Sequence, residues 1–224
     1  MKIKILLVDD HPIVRDGLTL RIQRQPDLVV CGEADSCAKA LAQVAACRPD
    51  LIVADLVLKD GSGLDLIRDL KIRSPQLPVL VLSMQDEKVY ALRAIRAGAR
   101  GYLMKQEAAD KVIEALRRIL AGHVYLSPQM TAQLVDCQVG GDATVPGTAD
   151  ESLSDRELEV FSLLGQGLRT RQIAARLHLS VKTIESYYER IKTRLQLDAY
   201  PELLREAVLW VHAKGEAETI TDDR

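Results

Sequence analysis

Hydrophobic positions fall into two regimes along the chain, and each predicts its own architecture. Over residues 1–121, short unbroken apolar runs alternate with amphipathic stretches. IKILLV (3–8), LVVCGEA (28–34), LIVA (51–54), PVLVLS (78–83) and GYLM (101–104) read as strands. The segments 12–25, 36–47, 62–72, 86–97 and 107–121 space their apolar residues as helices do, with Ile13, Val14, Leu18 and Ile22 marking the first. Ser36 is placed to cap the second helix, and Gly98 to end the fourth. Five strand–helix units predict an α/β doubly wound, five-stranded parallel sheet with right-handed crossovers. LIVA, apolar at every position, is its central strand, buried on both faces.

Past residue 121 the pattern turns wholly helical. HVYLSPQMTAQLVD (123–136) predicts a strand-like turn and a short helix. QVGGDATVPGTADES (138–152) has almost no apolar residue and reads as a linker; a coil of about 14 residues spans roughly 20 Å. Ser154-Asp155-Arg156-Glu157 is a capping box opening a helix whose Leu158, Val160, Phe161, Leu163 and Leu164 face a core, with Gly165 and Gly167 to stop it. Thr170 is placed to cap a short helix with Ile173, Ala174 and Leu177 inside; His178-Leu179 turns, and Ser180 caps a longer helix. There Val181, Ile184, Tyr188, Ile191 and Leu195 recur at intervals of 3, 4, 3 and 4. A last helix, 199–213, carries Leu203, Leu204, Val208, Leu209 and Trp210, a stripe that packs internally or joins two subunits. The expected division is an α/β domain over 1–121, a connecting helix and flexible linker over 122–151, an all-α four-helix domain over 152–214, and a frayed acidic tail over 215–224.

Composition narrows the setting. The 224 residues suffice for two modest domains. No apolar run reaches the ~18 residues that a membrane span needs. The opening MKIKILLVDDHP is too short in its apolar part for a signal peptide, and Asp9 and Asp10 interrupt it. A cytoplasmic protein is expected. Cys31, Cys37, Cys47 and Cys137 show no paired ligand spacing, which suggests packing roles in a reducing compartment. The net charge of −2 hides an asymmetry, because residues 169–194 hold seven basic residues against Glu185 and Glu189.

Chemistry gathers at the strand ends. The strands end in Asp9-Asp10, Asp55, Ser83 and Met104-Lys105. In a sheet of order 2-1-3-4-5 these ends meet at one rim, where strands one and three flank the switch point. Crowded carboxylates need a cation, and hard oxygen donors suit Mg²⁺. A hydroxyl from Ser83 and an ammonium from Lys105 would complete a cradle for a phosphoryl group, with Asp55 as nucleophile. Each residue also has a plainer reading. Asp9-Asp10 could cap the helix opening at Pro12, Asp55 and Ser83 could cap the helices after them, and Lys105 could be a surface lysine.

Taken together, residues 1–121 resemble a response-regulator receiver domain. The resemblance makes Asp9-Asp10 the acidic pair, Asp55 the phosphoacceptor, Ser83 the hydroxyl switch residue, Tyr102 the aromatic switch and Lys105 the family lysine. Gly63 matches the glycine eight residues beyond the acceptor. It implies that Asp10 and Asp55 bind Mg²⁺ directly with the Val57 carbonyl, that Asp9 helps through water, and that Tyr102 turns inward on phosphorylation. Three positions depart from the family pattern. Lys59 replaces a proline after the acceptor, Met84 stands where small residues are common, and Gln106 replaces the proline that often brings a cis peptide.

Residues 152–214 resemble a LuxR/NarL-type helix-turn-helix domain, from LSDRELEVFSLLGQGL through TRQIAARLHLSVKTIESYYERIKTRL. By that resemblance residues 181–195 enter the major groove. Glu185, Ser186 and Glu189 then fall at base-reading positions, and Thr170, Lys182, Thr183, Arg190, Lys192 and Arg194 at phosphate-facing ones. Together the two domains resemble a NarL/FixJ-type response regulator. That implies a histidine kinase that phosphorylates Asp55, a homodimer when phosphorylated, paired DNA half-sites and contact with RNA polymerase. It implies no enzyme activity beyond the receiver's own phosphorylation and dephosphorylation. A haloacid-dehalogenase-like phosphatase would want an acidic residue where Val57 stands. A DNA binder whose receiver is only a dimerisation module would leave the complete acidic pocket without a purpose.

Overall fold

Strands that are apolar at every position have to be covered on both sides. The computed structural model describes residues 2–139 and 152–219, and the chain divides into two units, Met1–Ala143 and Thr144–Arg224. In the first unit the strands are β1 (Ile3–Val8), β2 (Leu28–Ala34), β3 (Leu51–Ala54), β4 (Val57–Leu58), β5 (Gly61–Ser62), β6 (Val79–Ser83) and β7 (Gly101–Met104). Five of them form a parallel sheet in the order β2-β1-β3-β6-β7, the arrangement expected from the sequence. β4 and β5 form a separate antiparallel ribbon with Val57 opposite Ser62, which two-residue strands leave no periodicity to reveal.

Alternation divides the apolar side chains between the two faces. Ile5, Leu7, Leu51, Val53, Leu80, Leu82 and Leu103 share one cluster with Leu18 and Ile22 of α1 (Pro12–Gln23) and Val112, Leu116 and Ile119 of α5 (Ala108–Leu120). Leu6, Val8, Ile52 and Val81, the alternate positions, are buried as completely. α2 (Cys37–Cys47), α3 (Gly63–Arg73) and α4 (Glu87–Ala97) complete the layers. Ser36 caps α2, accepting from Lys39 N at 3.4 Å, and Gly98 ends α4 at φ 118°. The 123–136 expectation also holds. Tyr125 bridges Gly101 in parallel, and α6 (Pro128–Val139) follows, running further than its apolar pattern. The middle of the expected linker, 140–151, lies outside the described residues.

Among its described residues the second unit has the helices α7 (Asp155–Gly165), α8 (Thr170–Arg176), α9 (Val181–Leu195) and α10 (Tyr200–Thr219). α7 is buried from Glu157 to Gly165 and packs against the other three. Leu158, Phe161, Leu164, Ile173, Leu177, Ile184, Tyr188, Ile191, Leu203 and Ala207 make its core, and Trp210 tilts against Phe161 at 5.8 Å between ring centroids.

Several local readings need correction. Gly165 is the last helical residue, and a Cβ there would overlap the Ala207 carbonyl, so it permits α7 and α10 to approach; the left-handed turn belongs to Gly167 at φ 83°. Thr170 does not cap α8. Arg169 takes that place, its N–H donating to Gln172 Oε1 at 2.8 Å, and Thr170 becomes the first helical residue. Val181 is exposed because it opens α9 before the core begins. Leu204 and Leu209 are exposed, so only part of the α10 stripe is internal. α10 runs to Thr219, past Gly215 where the expected tail begins.

Candidate functional site

Sheet topology brings the predicted rim together. Asp9 follows β1, Asp55 follows β3, Ser83 ends β6 and Lys105 follows β7. Backbone bonds set the two carboxylates in place, with Asp9 N donating to Ala34 O at 3.0 Å and Asp55 N to Val8 O at 2.8 Å. Lys105 Nζ lies 2.7 Å from both Asp55 Oδ2 and Asp9 Oδ2, and all three side chains are buried. Asp55 Oδ1 accepts from Leu56 N at 2.6 Å. Gly63 lets the chain cross directly under the nucleophile. A Cβ there would overlap the Asp55 carbonyl, and Gly63 N donates to Leu56 O at 2.7 Å.

The plainer readings of these residues do not match the geometry. α1 is capped by His11 without a side-chain bond, and α3 and α4 are capped by Ser62 and Asp86, not by Asp55 or Ser83. Ser83 Oγ instead accepts from Gln85 N at 3.3 Å, and its hydroxyl is near enough to Asp55 to favour the carboxylate. Lys105 is not a surface lysine.

Charge in this pocket is unbalanced. Burial pushes the Asp55 carboxyl above its usual range; Lys105 pulls it back and Asp9 raises it again. Burial alone would lower Lys105, yet two carboxylates around one ammonium raise it. The two shifts agree physically, because Asp55 shares its only lysine with Asp9.

Two residues beside the pocket were missed in the sequence. His11 Nδ1 stands 2.7 Å from Asp10 Oδ1 and 3.2 Å from Asp9 Oδ1, and its backbone N–H donates to Asp9 Oδ1. Arg15 Nη1 donates to Asp9 O at 2.6 Å while its Nε reaches Glu33. His11 directly follows the acidic pair, so adjacency was a usable signal; Arg15 sits one helical turn on and carried none. Donor atoms of Asp9, Asp10, His11 and Asp55 all lie within 4.8 Å of one another. Carboxylate oxygens outnumbering the one buried ammonium fit a hard divalent cation such as Mg²⁺. Val57 opens the β4–β5 ribbon two residues past Asp55.

Tyr102 lies inside, with its hydroxyl donating to Gln85 O at 2.7 Å and its burial raising the phenol well above its usual range. Lys59, at the usual proline position, pairs with Asp35 at 2.8 Å, and Met84 is exposed at the pocket's edge.

In the second unit, Ser180 caps α9 by accepting from Thr183 N at 3.0 Å. Ser180, Lys182, Thr183, Ser186, Tyr187 and Arg190 line a groove of about 390 Å³ along its first turns. Glu185, Ser186 and Glu189 are exposed, and Arg190 lies over the Tyr187 ring at 5.7 Å. Two expected phosphate contacts are engaged elsewhere. Lys192 is largely covered and pairs with Glu189 at 3.0 Å. Arg194 turns inward to Glu157 at 3.1 Å and Ser152 O at 3.2 Å, because the buried Glu157 carboxylate of the capping box needs a cation. Thr170 accepts from the Tyr188 hydroxyl at 3.5 Å.

Family comparison agrees with both units. Residues 5–117 match the response regulator receiver domain, and 151–207 match the bacterial regulatory proteins of the luxR family. The chain belongs to the NarL/FixJ-type response regulators. It is 40% identical over 209 residues to the transcriptional activator protein ExaE of Pseudomonas putida, covering 91% of this chain and 95% of that one. With the DNA-binding transcriptional activator DevR/DosR of Mycobacterium tuberculosis it shares 37% over 201 residues, or 88% and 89% of the two chains. A LuxR-family response regulator from Aurantimonas superposes with a TM-score of 0.57 at 32% identity, over 62% of this chain and 99% of that one. RcsB of Salmonella enterica, bound to a promoter with a phosphomimetic, gives 0.62 at 24% identity over 92% and 98%, a likeness of fold. This response regulator is thus a two-component, DNA-binding transcription regulator. Among its described residues, no helix is long and apolar enough to cross a membrane.

Proposed function

We propose that Asp55 is the phosphoacceptor of this response regulator, and that Lys105 and Ser83 hold the transferred group. The observation that carries this reading is Lys105 Nζ bridging Asp9 and Asp55 at 2.7 Å inside a buried pocket. An Asp55 carboxylate oxygen attacks the phosphorus of a phosphohistidine on the kinase. The new O–P bond forms as the N–P bond breaks, and the imidazole leaves with the electron pair. Lys105 has two parts in this. It holds Asp55 anionic against the upward push of burial, and it follows the negative charge onto the phosphoryl oxygens. Ser83 donates to another of those oxygens. Asp9, Asp10 and Asp55, with the Val57 carbonyl, would hold Mg²⁺. When bound, the ion supplies positive charge that offsets the anionic reactants.

The change on phosphorylation centres on Ser83, Lys105, Tyr102 and the segment Met84–Asp86 joining β6 to α4, where Gln85 O accepts from the Tyr102 hydroxyl. That rearrangement would free or pair the DNA-binding domains. Glu185, Ser186 and Glu189 then face base edges, and Thr170, Lys182, Thr183 and Arg190 face phosphates, on paired half-sites bound by a homodimer in the cytoplasm. RNA polymerase is the further partner such a regulator contacts.

The test is acetyl phosphate with Mg²⁺ on the purified chain, followed by intact mass and a DNA-shift assay. One phosphoryl group per chain is expected, absent in Asp55→Asn, with tighter DNA binding only in the wild type. Phosphate uptake by Asp55→Asn would overturn the assignment.

A further inference from the structure

Away from the acidic rim, two half-buried thiols touch. Cys31 Sγ lies 3.2 Å from Cys47 Sγ, although the residues are 16 apart in sequence. Their spacing carries no motif, and the fold builds the contact in three ways. First, β1 pairs Ile5 with Val30 and then Leu6 with Gly32, so Cys31 is the extra residue of a β-bulge. Bulges re-aim side chains that regular alternation would send elsewhere. Second, Gly32 lets α2 lie hard against β2. A Cβ at that position would stand 2.7 Å from Gln43 Oε1 and 3.4 Å from Cys47 Sγ. Third, Cys47 is the last residue of α2, followed by the left-handed Arg48 at φ 48°, and its thiol donates to the Gln43 carbonyl at 3.0 Å. Helix end, bulge and glycine therefore converge on one pair of sulfurs.

We propose that Cys31 and Cys47 form a reversible oxidation site, closing an intrachain disulfide when the protein meets a hydroperoxide. One sulfur attacks the peroxide oxygen, giving a sulfenic acid and, for hydrogen peroxide, one water. The second thiol then displaces hydroxide from that sulfur. The S–S bond forms, the S–O bond breaks, and the thiol proton leaves with the hydroxide as a second water. Two electrons pass from the thiols to the peroxide. Closing the contact to about 2.05 Å needs only a small movement of either side chain. Burial and the adjoining Cys47 push the Cys31 thiol up to about 12, so Cys31 stays protonated at neutral pH. A low-molecular-weight thiol reverses the step by exchange. Cys37 is the internal control, since its thiol faces the Ser62 carbonyl at 3.8 Å rather than another sulfur.

The experiment treats the full chain with hydrogen peroxide, then alkylates under denaturing conditions and reads intact mass and peptide maps. The expected result is a chain lighter by two hydrogens, with two thiols protected, a Cys31–Cys47 peptide link, and full recovery with dithiothreitol. Cys31→Ser and Cys47→Ser should each abolish the link, and Cys37→Ser should keep it. No protected thiols in the wild type would overturn the proposal. So would a link to a different cysteine, a bond between chains, or a lone sulfinic acid.

Discussion

The two units use charge in opposite ways. In the receiver, Asp9, Asp55, Ser83 and Lys105 come from four strand ends, the paired Asp9 and Lys105 being 96 residues apart, and their side chains are buried together. On α9, Lys182, Thr183, Glu185, Ser186, Glu189 and Arg190 are neighbours in sequence, and most of them face solvent. The first arrangement depends on topology, so one displaced backbone atom disturbs the whole group. The second is close to a list of independent surface contacts, each worth little alone and weakened by salt. Damage to the first should therefore be large and cooperative, and damage to the second small and additive.

The sharpest way to break this contrast is Gly63→Ala. A Cβ at Gly63 would overlap the Asp55 carbonyl and crowd Leu56 Cα, so the nucleophile must shift. Misplacement near 1 Å costs on the order of 100-fold in rate. The rate of mass gain with acetyl phosphate is expected to fall by about that factor, while the isolated folding of the helical unit is untouched. A wild-type rate would mean that this crossing does not position Asp55.

Gly165→Ala is the counterpart in the other unit. Its Cβ would meet the Ala207 carbonyl and Val211 Cγ2, forcing α10 off α7. A loss of about 3 kcal/mol is expected, as for overpacking against a backbone that cannot give way. Urea unfolding of the DNA-binding unit measures it, and phosphate uptake at Asp55 should be unchanged. Equal damage to both readouts would deny that the units are energetically separate.

A pH series on metal-free protein tests the buried cluster more finely. Burial raises the folded-state pKa of Asp55 above its ordinary value of 3.8. The folded state therefore holds that proton more tightly than the unfolded one, and the contribution is full below 3.8 and lost as pH rises through the raised value. Above the raised value the ionised Asp55 costs stability. Asp55→Asn should thus melt higher than wild type at the alkaline end of the series, with the gap shrinking toward acid. A gap that widens in acid would mean that Lys105, not burial, dominates the group.

The sequence showed the sheet order and the phosphoacceptor rim because both follow from where apolar runs stop. LIVA ending in Asp55 and GYLM ending in Met104-Lys105 are visible without coordinates. What stayed hidden needed contacts that no period encodes. The β4–β5 ribbon is two residues a side, and the glycine at 165 acts through a helix more than forty residues away. The Cys31–Cys47 contact depends on a bulge, which breaks the very alternation used to read strands. Arg194 reads as a DNA contact from its place on the helix, because the capping box accounts for Glu157 without a cation, and only the fold brings the two together. The acceptor of the Tyr102 hydroxyl, Gln85 O, is a backbone atom and leaves no mark in the residue pattern.

Arg190 and Arg194 make the smallest and most discriminating test, since they are four residues apart on one helix with opposite assignments. Arg190 is exposed over Tyr187, free to meet a phosphate. Arg190→Ala should weaken all DNA sites alike and flatten the slope of log affinity against log salt by about 1. Arg194→Ala should leave that slope alone and instead lower the unfolding free energy by about 1 kcal/mol, because it removes the partly exposed guanidinium from the buried Glu157 carboxylate and leaves its bonds to Ser154 in place. Binding titrations at several salt concentrations separate the two. If Arg194→Ala flattens the slope as Arg190→Ala does, the inward ion pair opens on DNA, and the division between structural and DNA-facing charge on α9 fails at its last turn.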